Sequence, residues 1–292
     1  YLGSCRYKLP ADLDSEVYPA IFDNFREMNI GYFLYVGGND SMDTVDKLSR
    51  YAEKIGSDVK FIGIPKTIDN DLMITDHTPG FGSAAKYIAS TLLEIAHDTI
   101  IYPVKSVTII EIMGRDAGWL TLNAGIGSGA DVILIPEIPY DLNKVAELIE
   151  ERNRQGKRYS IIACAEGAVS VDDIKLDEEA SRRKRENSRH STVSYEIADR
   201  LEKLTGKEAR VTVPGHYQRG GPPCPYDRVL ATQFGVAAAD LIINKQYGRM
   251  VAVQGGQIVS IPLEDAASKT KFLPVDHPMI QVARKMGISL GD

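Results

Sequence analysis

The stretch YVGGNDSMDTVDKL, residues 35–48, joins the end of an apolar run to the start of an amphipathic segment. The run itself, IGYFLYV (30–36), has the length and apolar character of a buried strand, and two glycines follow it. The amphipathic segment continues to Ile55 at helical spacing. A strand, a glycine turn and a helix in this order predict the unit from which parallel α/β sheets are built.

Similar units recur along the rest of the chain. Further apolar runs of strand length occupy 58–64, 106–112, 130–136, 158–165, 208–213 and 249–253. Amphipathic stretches of helical length lie between most of the runs, at 43–55, 82–97, 142–155, 193–204 and 229–245. Near-continuous apolar strands that alternate with helices predict parallel strands buried on both faces. The sequence therefore predicts a doubly wound α/β fold.

Composition narrows the class of protein. The 292 residues suit one large α/β domain or two smaller ones, and a hydrophobic content of 43% is ordinary for a globular core. The formal net charge of -6 argues against a nucleic-acid partner. The chain holds three cysteines without metal-ligand spacing, at positions 5, 164 and 224, which predicts a reducing, cytoplasmic setting.

Membrane association is not expected either. No apolar run approaches the roughly 20 residues that span a bilayer. The start of the chain, YLGSCRYKLP, has neither the basic region nor the apolar region of a signal peptide.

Polar turns follow the strands, and ligands of doubly wound sheets sit beyond the carboxyl ends of the strands. The second run ends in PKTIDNDL, which holds Lys66, Thr67, Asp69 and Asp71. Phosphoryl transfer needs such parts, because a base must accept a hydroxyl proton, carboxylates bind metal and cations face the phosphate oxygens. A polar turn with an aspartate cap explains the same residues when they are taken in isolation.

Three later turns carry related chemistry. EIMGRDAGWL offers Gly114 and Arg115, CAEGA offers Glu166, and PGHYQRGG offers His216 and Arg219. Each has a structural alternative, namely a glycine turn, a solvent-facing carboxylate or a structural histidine. Five strand ends with groups suited to phosphate are together hard to explain by independent structural roles, so the pattern favours phosphate chemistry.

The motifs GGNDS, PKTIDND, TDHTPGFGSA, EIMGRDAG, ILIPE and GHYQRGG resemble the phosphofructokinase family in order and spacing. The resemblance runs from Leu2 to the last residues. It implies two Rossmann-like lobes with mainly parallel sheets. Residues 1–80 and 218–268 would form the lobe that binds the phosphoryl donor and magnesium, and residues 81–217 and 269–292 the lobe that binds fructose 6-phosphate.

The resemblance also implies roles for single residues. Asp69 would take the proton from the 1-hydroxyl of the sugar, and Thr67 and Asp71 would support the transferring phosphoryl group and its magnesium. Asp40, Lys66 and Arg115 are the further candidate catalytic residues. Fructose 6-phosphate would be held by Thr67, Asp69, Met113, Gly114, Arg115, Glu166, His216 and Arg219. Arg210 matches an arginine that reaches the sugar phosphate of a neighbouring subunit in the tetramers of the family, so a homo-oligomer is expected.

The residues that bind the phosphoryl donor would be Arg6, Gly38, Asn39, Asp40, Ser41 and Lys66. Asn39 and Asp71 would be the ligands of magnesium. ATP-using members typically have glycine where Asp40 and Lys66 stand, and this pair resembles the pyrophosphate-dependent branch. A helix N-terminus attracts an anion, so the Asp40 carboxylate would take the place of a nucleotide α-phosphate and repel it. A helix-cap role explains Asp40 but leaves Lys66 unexplained.

The expected reaction is therefore glycolytic and reversible. Pyrophosphate and fructose 6-phosphate would give phosphate and fructose 1,6-bisphosphate, with magnesium neutralising charge on the phosphates. The alternatives are an ATP-dependent 6-phosphofructokinase, a non-catalytic regulatory subunit, and a lipid or nicotinamide-nucleotide kinase. Asp69 and Asp71 disfavour the regulatory subunit, and the motifs MGRDAG and GHYQRGG disfavour the last class.

The sequence departs from the family pattern at three points. Asn39 stands where the family usually has an aspartate near magnesium, and an amide oxygen coordinates without charge. Ser106 replaces a second arginine that crosses the subunit interface, so a dimer is expected as readily as a tetramer. The opening strand of the family and its G-G-x-x-P-G loop are absent, so we expect the native protein to be longer and the sheet edge to be open.

Overall fold

The computed structural model describes residues 7–101, 104–175 and 192–292. Within these ranges the strands are β1 Tyr32–Gly37, β2 Lys60–Pro65, β3 Ser106–Ile112, β4 Val132–Leu134, β5 Tyr159–Ala165, β6 Glu208–Thr212, β7 Arg249–Gln254 and β8 Gln257–Pro262. The α-helices are α1 Val17–Glu27, α2 Asn39–Ile55, α3 Phe81–Ile100, α4 Trp119–Ser128, α5 Leu142–Arg154, α6 Val193–Thr205, α7 Tyr217–Gly220, α8 Pro225–Ile243, α9 Leu263–Ala266 and α10 Pro278–Lys285.

The chain divides into two compact units. The first unit is Tyr1–Gly80 with Pro225–Lys271, and the second is Phe81–Cys224 with Phe272–Asp292. In the predicted division, the chain passes from one lobe to the other after residues 80, 217 and 268. In the structure, the second and third passages come a few residues later, after Cys224 and Lys271. Hydrogen bonds explain the shift, because Cys224 N donates to Ser83 Oγ in the second unit and Lys271 N donates to Asp71 O in the first.

The first unit is built on a sheet of strand order β1-β2-β7-β8. β1, β2 and β7 run parallel, and β8 returns antiparallel to β7. On one face, Phe61 of β2 packs with Met42 and Val45 of α2. On the other face, its neighbour Ile62 packs with Phe234 of α8. Helices therefore cover both faces of the central strands.

The edge strand β1 corrects one expectation. The sequence predicts strands buried on both faces, yet Tyr32, Leu34 and Val36 are 51%, 38% and 56% exposed. Their neighbours Phe33 and Tyr35 face the core on the α2 side. The physical reason is position, because α8 packs on β2, β7 and β8 and leaves the outer face of β1 open to solvent.

The second unit contains a fully parallel sheet of order β4-β5-β3-β6. All seven residues of β3 are buried. Val107 and Ile109 pack with residues of α5 and α6, whereas Thr108 points the other way and lies 3.3 Å, Oγ1 to Oγ1, from Thr99 of α3. The alternation along β3 therefore places helices on opposite faces.

The predicted α/β fold with mainly parallel strands is confirmed. All seven predicted strands are present as β1 to β7, and the five predicted helices as α2, α3, α5, α6 and α8. β8 and the helices α1, α4, α7, α9 and α10 are additions to the prediction. None of the described helices combines the length and the apolar character that are needed to cross a bilayer.

Candidate active site

The turn after β1 leads directly into α2, which begins at Asn39 with Gly38 as its N-cap. Ser41 N donates to Gly38 O at 3.0 Å, and a Cβ on Gly37 would overlap the side chain of Ser41. Glycine at position 37 therefore allows Ser41 to fold back against the end of the strand. Asp40 lies in the first turn of the helix, at the end that carries the positive pole of the helix dipole.

Asp40 has a cationic partner that the motifs do not indicate. Lys8 Nζ lies 3.0 Å from Asp40 Oδ1, and both side chains are 77% exposed. The hydrogen bond that Lys8 donates to this carboxylate, and then the negative charge of the carboxylate, raise the pKa of Lys8. The main chain beside Lys8 is held, because Leu9 is buried and its carbonyl accepts from Lys47 Nζ at 3.1 Å. A lysine on a fixed segment thus faces the first turn of α2.

The turn after β2 lies beside the turn after β1. Lys66 is exposed, and its backbone N–H donates to Gly37 O at 2.8 Å. A Cβ built on Gly38 would stand 3.7 Å from Lys66 O and 3.8 Å from Thr67 Cβ. The two motifs GGNDS and PKTIDND therefore meet at the carboxyl edge of this sheet. Arg6, the remaining donor-side prediction, lies outside the described residues.

The loop that carries the predicted base is braced from within. Thr67 Oγ1 donates to Asp69 Oδ2 at 3.3 Å and accepts from Asp69 N at 3.2 Å. Asn70 is buried with φ 54°, its Nδ2 donates to Asp76 O at 3.1 Å, and its Oδ1 accepts from Thr78 N at 3.0 Å. A left-handed residue between two carboxylates thus fixes the course of the loop.

The predicted metal residues Asn39 and Asp71 are in contact. Asn39 Nδ2 donates to Asp71 Oδ2 at 2.7 Å. Asn39 Oδ1 is buried and accepts no hydrogen bond from any residue that the structure describes. The amide nitrogen faces the carboxylate, and the amide oxygen and the carboxylate are both hard oxygen ligands of the kind that magnesium prefers. The residues present therefore fit a magnesium ion held by Asn39 and Asp71.

A larger protein cage for metal is absent from the described part of the chain, where three or more His, Cys, Asp or Glu side chains do not gather into a possible metal site. Magnesium usually keeps several waters and is held by one or two carboxylates together with substrate phosphates.

Lys271 is a second cation that sequence reasoning missed. Its backbone N–H donates to Asp71 O at 2.7 Å, and its Nζ donates to Thr75 O at 2.7 Å. Burial lowers the pKa of Lys271 to about 8, against the opposing charges of Asp76 and Asp71. The end of the first unit is thereby attached to the loop that carries the predicted base and metal residues.

In the second unit, β3 and β5 end side by side. Ile112 lies opposite Ala165, and Glu166 N donates to Ile112 O at 2.8 Å. Met113 follows β3 directly, so its backbone lies beside Glu166. A Cβ on Gly167 would overlap the carbonyl oxygen of Arg115, so the two loops are in direct contact.

Gly114 requires glycine for two reasons. Its φ is 114°, a conformation that side chains disfavour, and a Cβ there would stand 2.8 Å from Ala117 O. The tight turn sets the direction of Arg115 as the chain leaves β3. Met113, Gly114, Arg115 and Glu166 are therefore brought together, as the sugar-phosphate prediction requires.

The loop after β6 reaches the same place through a buried glutamine. His216 is the N-cap of the single turn α7 and Arg219 lies within this turn, where Arg219 N donates to His216 O at 2.9 Å. Between them Gln218 is 3% exposed, and its Oε1 accepts from Met113 N at 3.0 Å. The ends of β3, β5 and β6 thus form one cluster of predicted sugar-phosphate residues. Gln218 itself was not predicted.

Arg210 lies apart from this cluster. It belongs to β6, opposite Thr108, two residues before the strand ends. Its Nε donates to Glu208 Oε1 at 2.9 Å. Ser106, the position of the second interface arginine, is the buried first residue of β3, at the strand end opposite to Met113.

Comparisons with known proteins agree on a family. The family model described as phosphofructokinase matches residues 1–242. A Spirochaeta thermophila protein named ATP-dependent 6-phosphofructokinase is 43% identical, with 100% of this chain and 80% of the relative covered. A protein of the same name from Propionibacterium freudenreichii subsp. shermanii is 38% identical, with 94% of this chain and 76% of the relative covered.

Solved structures show the same fold. The pyrophosphate-dependent phosphofructokinase of Marinobacter aquaeolei matches with a TM-score of 0.80 at 30% identity, over 98% of this chain and 69% of that chain. Pichia pastoris phosphofructokinase in the T-state matches with a TM-score of 0.69 at 26% identity, over 92% of this chain and 29% of that chain. Similar proteins thus carry names with either phosphoryl donor.

Proposed function

This chain belongs to the phosphofructokinase family, and we propose that it transfers a phosphoryl group from pyrophosphate to the 1-hydroxyl of fructose 6-phosphate. The family and its 6-phosphofructokinase activity place the chain among the transferases of glycolysis. The choice of pyrophosphate as donor, the magnesium ion and the residue roles are our proposal. The products are fructose 1,6-bisphosphate and phosphate, and the reaction is reversible.

One observation carries the choice of donor, namely the Asp40 carboxylate in the first turn of α2. Without this carboxylate, the positive N-terminal end of α2 would attract a phosphate. With a carboxylate there, a nucleotide α-phosphate meets a like charge. Pyrophosphate has only two phosphates, so it needs no place for an α-phosphate. Lys8 supplies a cation beside Asp40, and Lys66 supplies an exposed cation on the neighbouring turn.

ATP is the second candidate donor, because the curated relatives from Spirochaeta thermophila and Propionibacterium freudenreichii are named ATP-dependent. These two relatives are 43% and 38% identical to this chain, whereas the Marinobacter aquaeolei protein, which is named pyrophosphate-dependent, is 30% identical. The ion pair of Asp40 with Lys8 also balances part of the charge on which nucleotide exclusion rests.

Asp69 acts as the base in the proposed mechanism. Its Oδ2 is held by the Thr67 hydroxyl, and the loop around it is braced by Asn70. The 1-hydroxyl of the sugar gives its proton to the Asp69 carboxylate as its oxygen attacks the phosphorus atom. The new P–O bond forms while the bond to the leaving phosphate breaks. Magnesium, held by Asn39 and Asp71, would neutralise charge on the phosphate oxygens when bound.

The second unit holds the sugar phosphate in this proposal. Arg115 and Arg219 are planar forks suited to a phosphate, and Glu166 accepts hydrogen bonds from sugar hydroxyls. Met113, Gly114 and His216 complete the surface around the sugar. Arg210 reaches the sugar phosphate of a neighbouring subunit, so the protein assembles as a dimer or a tetramer of identical chains.

The test is phosphoryl transfer to fructose 6-phosphate by the native protein, with pyrophosphate and ATP supplied separately and magnesium in both. We expect turnover with pyrophosphate, and we expect Asp40→Gly to gain activity with ATP. Asp40→Asn is the matched control, because it removes the charge and keeps the size of the side chain. Turnover with ATP and none with pyrophosphate would overturn the donor and keep the family activity.

A further inference from the structure

Gln218 links two segments of the second unit that lie 105 residues apart. Its side chain is 3% exposed, and its Oε1 accepts from the backbone N–H of Met113 at 3.0 Å. Burying an amide side chain is costly unless it is hydrogen-bonded. The contact is therefore a fixed part of the structure.

The turn around Gln218 is short and tightly bonded. α7 spans Tyr217–Gly220, Gln218 N donates to Gly215 O at 3.2 Å, and Arg219 N donates to His216 O at 2.9 Å. A displacement of Gln218 therefore displaces His216 and Arg219 with it.

The other side of the link is equally constrained. Met113 opens the turn in which Gly114 has φ 114° and directs Arg115. Gly167 packs on the carbonyl of Arg115, so the turn has little room to move. The hydrogen bond from Met113 to Gln218 thus sets the distance between two loops that each carry an arginine.

We propose that Gln218 is a positioning residue that fixes Arg115 relative to His216 and Arg219, and so sets the affinity for the sugar phosphate. This rests on the proposed function, in which these residues hold fructose 6-phosphate. Gln218 itself need not touch the substrate. Its effect is on the sugar phosphate and not on the donor, because the donor residues belong to the first unit.

The test compares Gln218→Leu with the wild type. Leucine keeps a side chain of similar length but leaves the Met113 N–H without its acceptor. We expect the KM for fructose 6-phosphate to rise by about tenfold or more, with the KM for the donor unchanged. Gln218→Glu keeps an acceptor oxygen at the same reach and should restore the KM to within about threefold of the wild type.

Two controls separate positioning from loss of structure. Gln155→Leu makes the same change at an exposed glutamine, the C-cap of α5, where Nε2 donates to Glu151, and should leave both KM values unchanged. Thermal melting shows whether each variant is folded, and calorimetric titration with fructose 6-phosphate measures affinity without turnover. A folded Gln218→Leu variant with wild-type affinity overturns the role of Gln218.

The outcomes also distinguish this inference from the function on which it rests. If the wild type neither binds nor phosphorylates fructose 6-phosphate, the proposed function fails and the role of Gln218 fails with it. If the wild type is active and Gln218→Leu raises the KM for donor and sugar phosphate equally, only the positioning role fails.

Discussion

At the scale of single residues, Gly167 decides how closely two loops of the sugar-phosphate cluster approach. A Cβ at this position would overlap the carbonyl oxygen of Arg115, which belongs to the backbone and cannot turn aside. We predict that Gly167→Ala displaces Arg115 and raises the KM for fructose 6-phosphate by about tenfold to a hundredfold. Steady-state kinetics with the sugar phosphate varied measure this effect.

Gly235→Ala is the control for the Gly167 prediction. A Cβ at Gly235 in α8 meets nothing within 4 Å, and alanine favours a helix. This variant should keep the wild-type KM and be as stable as the wild type or slightly more so. A Gly167→Ala variant that matched it in both properties would contradict the close packing of the two loops.

Lys8 and Asp40 form a pair whose role depends on both charges. We predict that Lys8→Ala raises the KM for pyrophosphate by about threefold to tenfold, because the Asp40 carboxylate then repels the donor without compensation. In an Asp40→Gly background the same change should have a smaller effect. A double-mutant cycle on the KM for the donor measures the coupling. Additive effects would show that the ion pair has no part in donor binding.

The sequence suggests the candidate residues of the site but not the residues that support them. Strand-end motifs lead to Asp40, Asp69 and Arg115, because each motif is local and carries its own chemistry. Lys8 and Gln218 were missed because their partners lie far along the chain, and no local spacing connects a lysine near the start to a helix turn. Such residues become visible when the fold brings their partners together.

At the scale of elements, α5 begins with a side-chain cap. Asp141 Oδ1 accepts from Asn143 N at 2.9 Å and satisfies one of the unpaired donors of the first turn. We predict that Asp141→Ala lowers the free energy of unfolding by about 1 kcal/mol. Urea unfolding followed by circular dichroism measures the change.

Asp141→Asn tests whether the cap is the cause. Asparagine caps helices about as well as aspartate, so this variant should stay close to the wild type in stability. Equal losses for Asp141→Ala and Asp141→Asn would point to the charge instead of the cap. Activity should be unaffected in both, since α5 carries none of the proposed site residues.

The elements show where reading a sequence succeeds and where it fails. Long apolar runs predict β2, β3 and β5 because strands buried on both faces leave an unmistakable pattern. β8 was missed although Gly255 and Gly256, both with positive φ, form the two-residue turn of a hairpin to β7. Only two residues separate the runs, and β8 mixes polar with apolar residues.

At the scale of the whole molecule, the chain passes between its two units three times. Composition shows no linker at these crossings, so the predicted boundaries came from the family resemblance. Their actual positions follow from hydrogen bonds. Gln218 and Cys224 each form a hydrogen bond within the second unit, to Met113 and Ser83 respectively. Lys271 N donates a hydrogen bond to Asp71 O within the first unit.

The stability of the protein should depend on pH through Lys271. Burial lowers its pKa to about 8 from an ordinary value of 10.5, so between these pH values the unfolded chain binds more protons than the folded one. The free energy of unfolding therefore rises with pH across this window. Below pH 8 the folded state carries the full cost of a buried ammonium group, a cost that fades as the lysine loses its proton.

We predict that Lys271→Met removes this rise, with a difference between the variants of at most roughly 3 kcal/mol across the window. Urea unfolding from pH 7.5 to 10.5, without magnesium, measures both proteins, and groups common to the two cancel in the comparison. Lys269→Met, which changes an exposed lysine two residues away, should keep the wild-type slope. If wild type and Lys271→Met rise in parallel, Lys271 keeps an ordinary pKa, and its contacts with Asp71 and Thr75 act through geometry without a cost of burial.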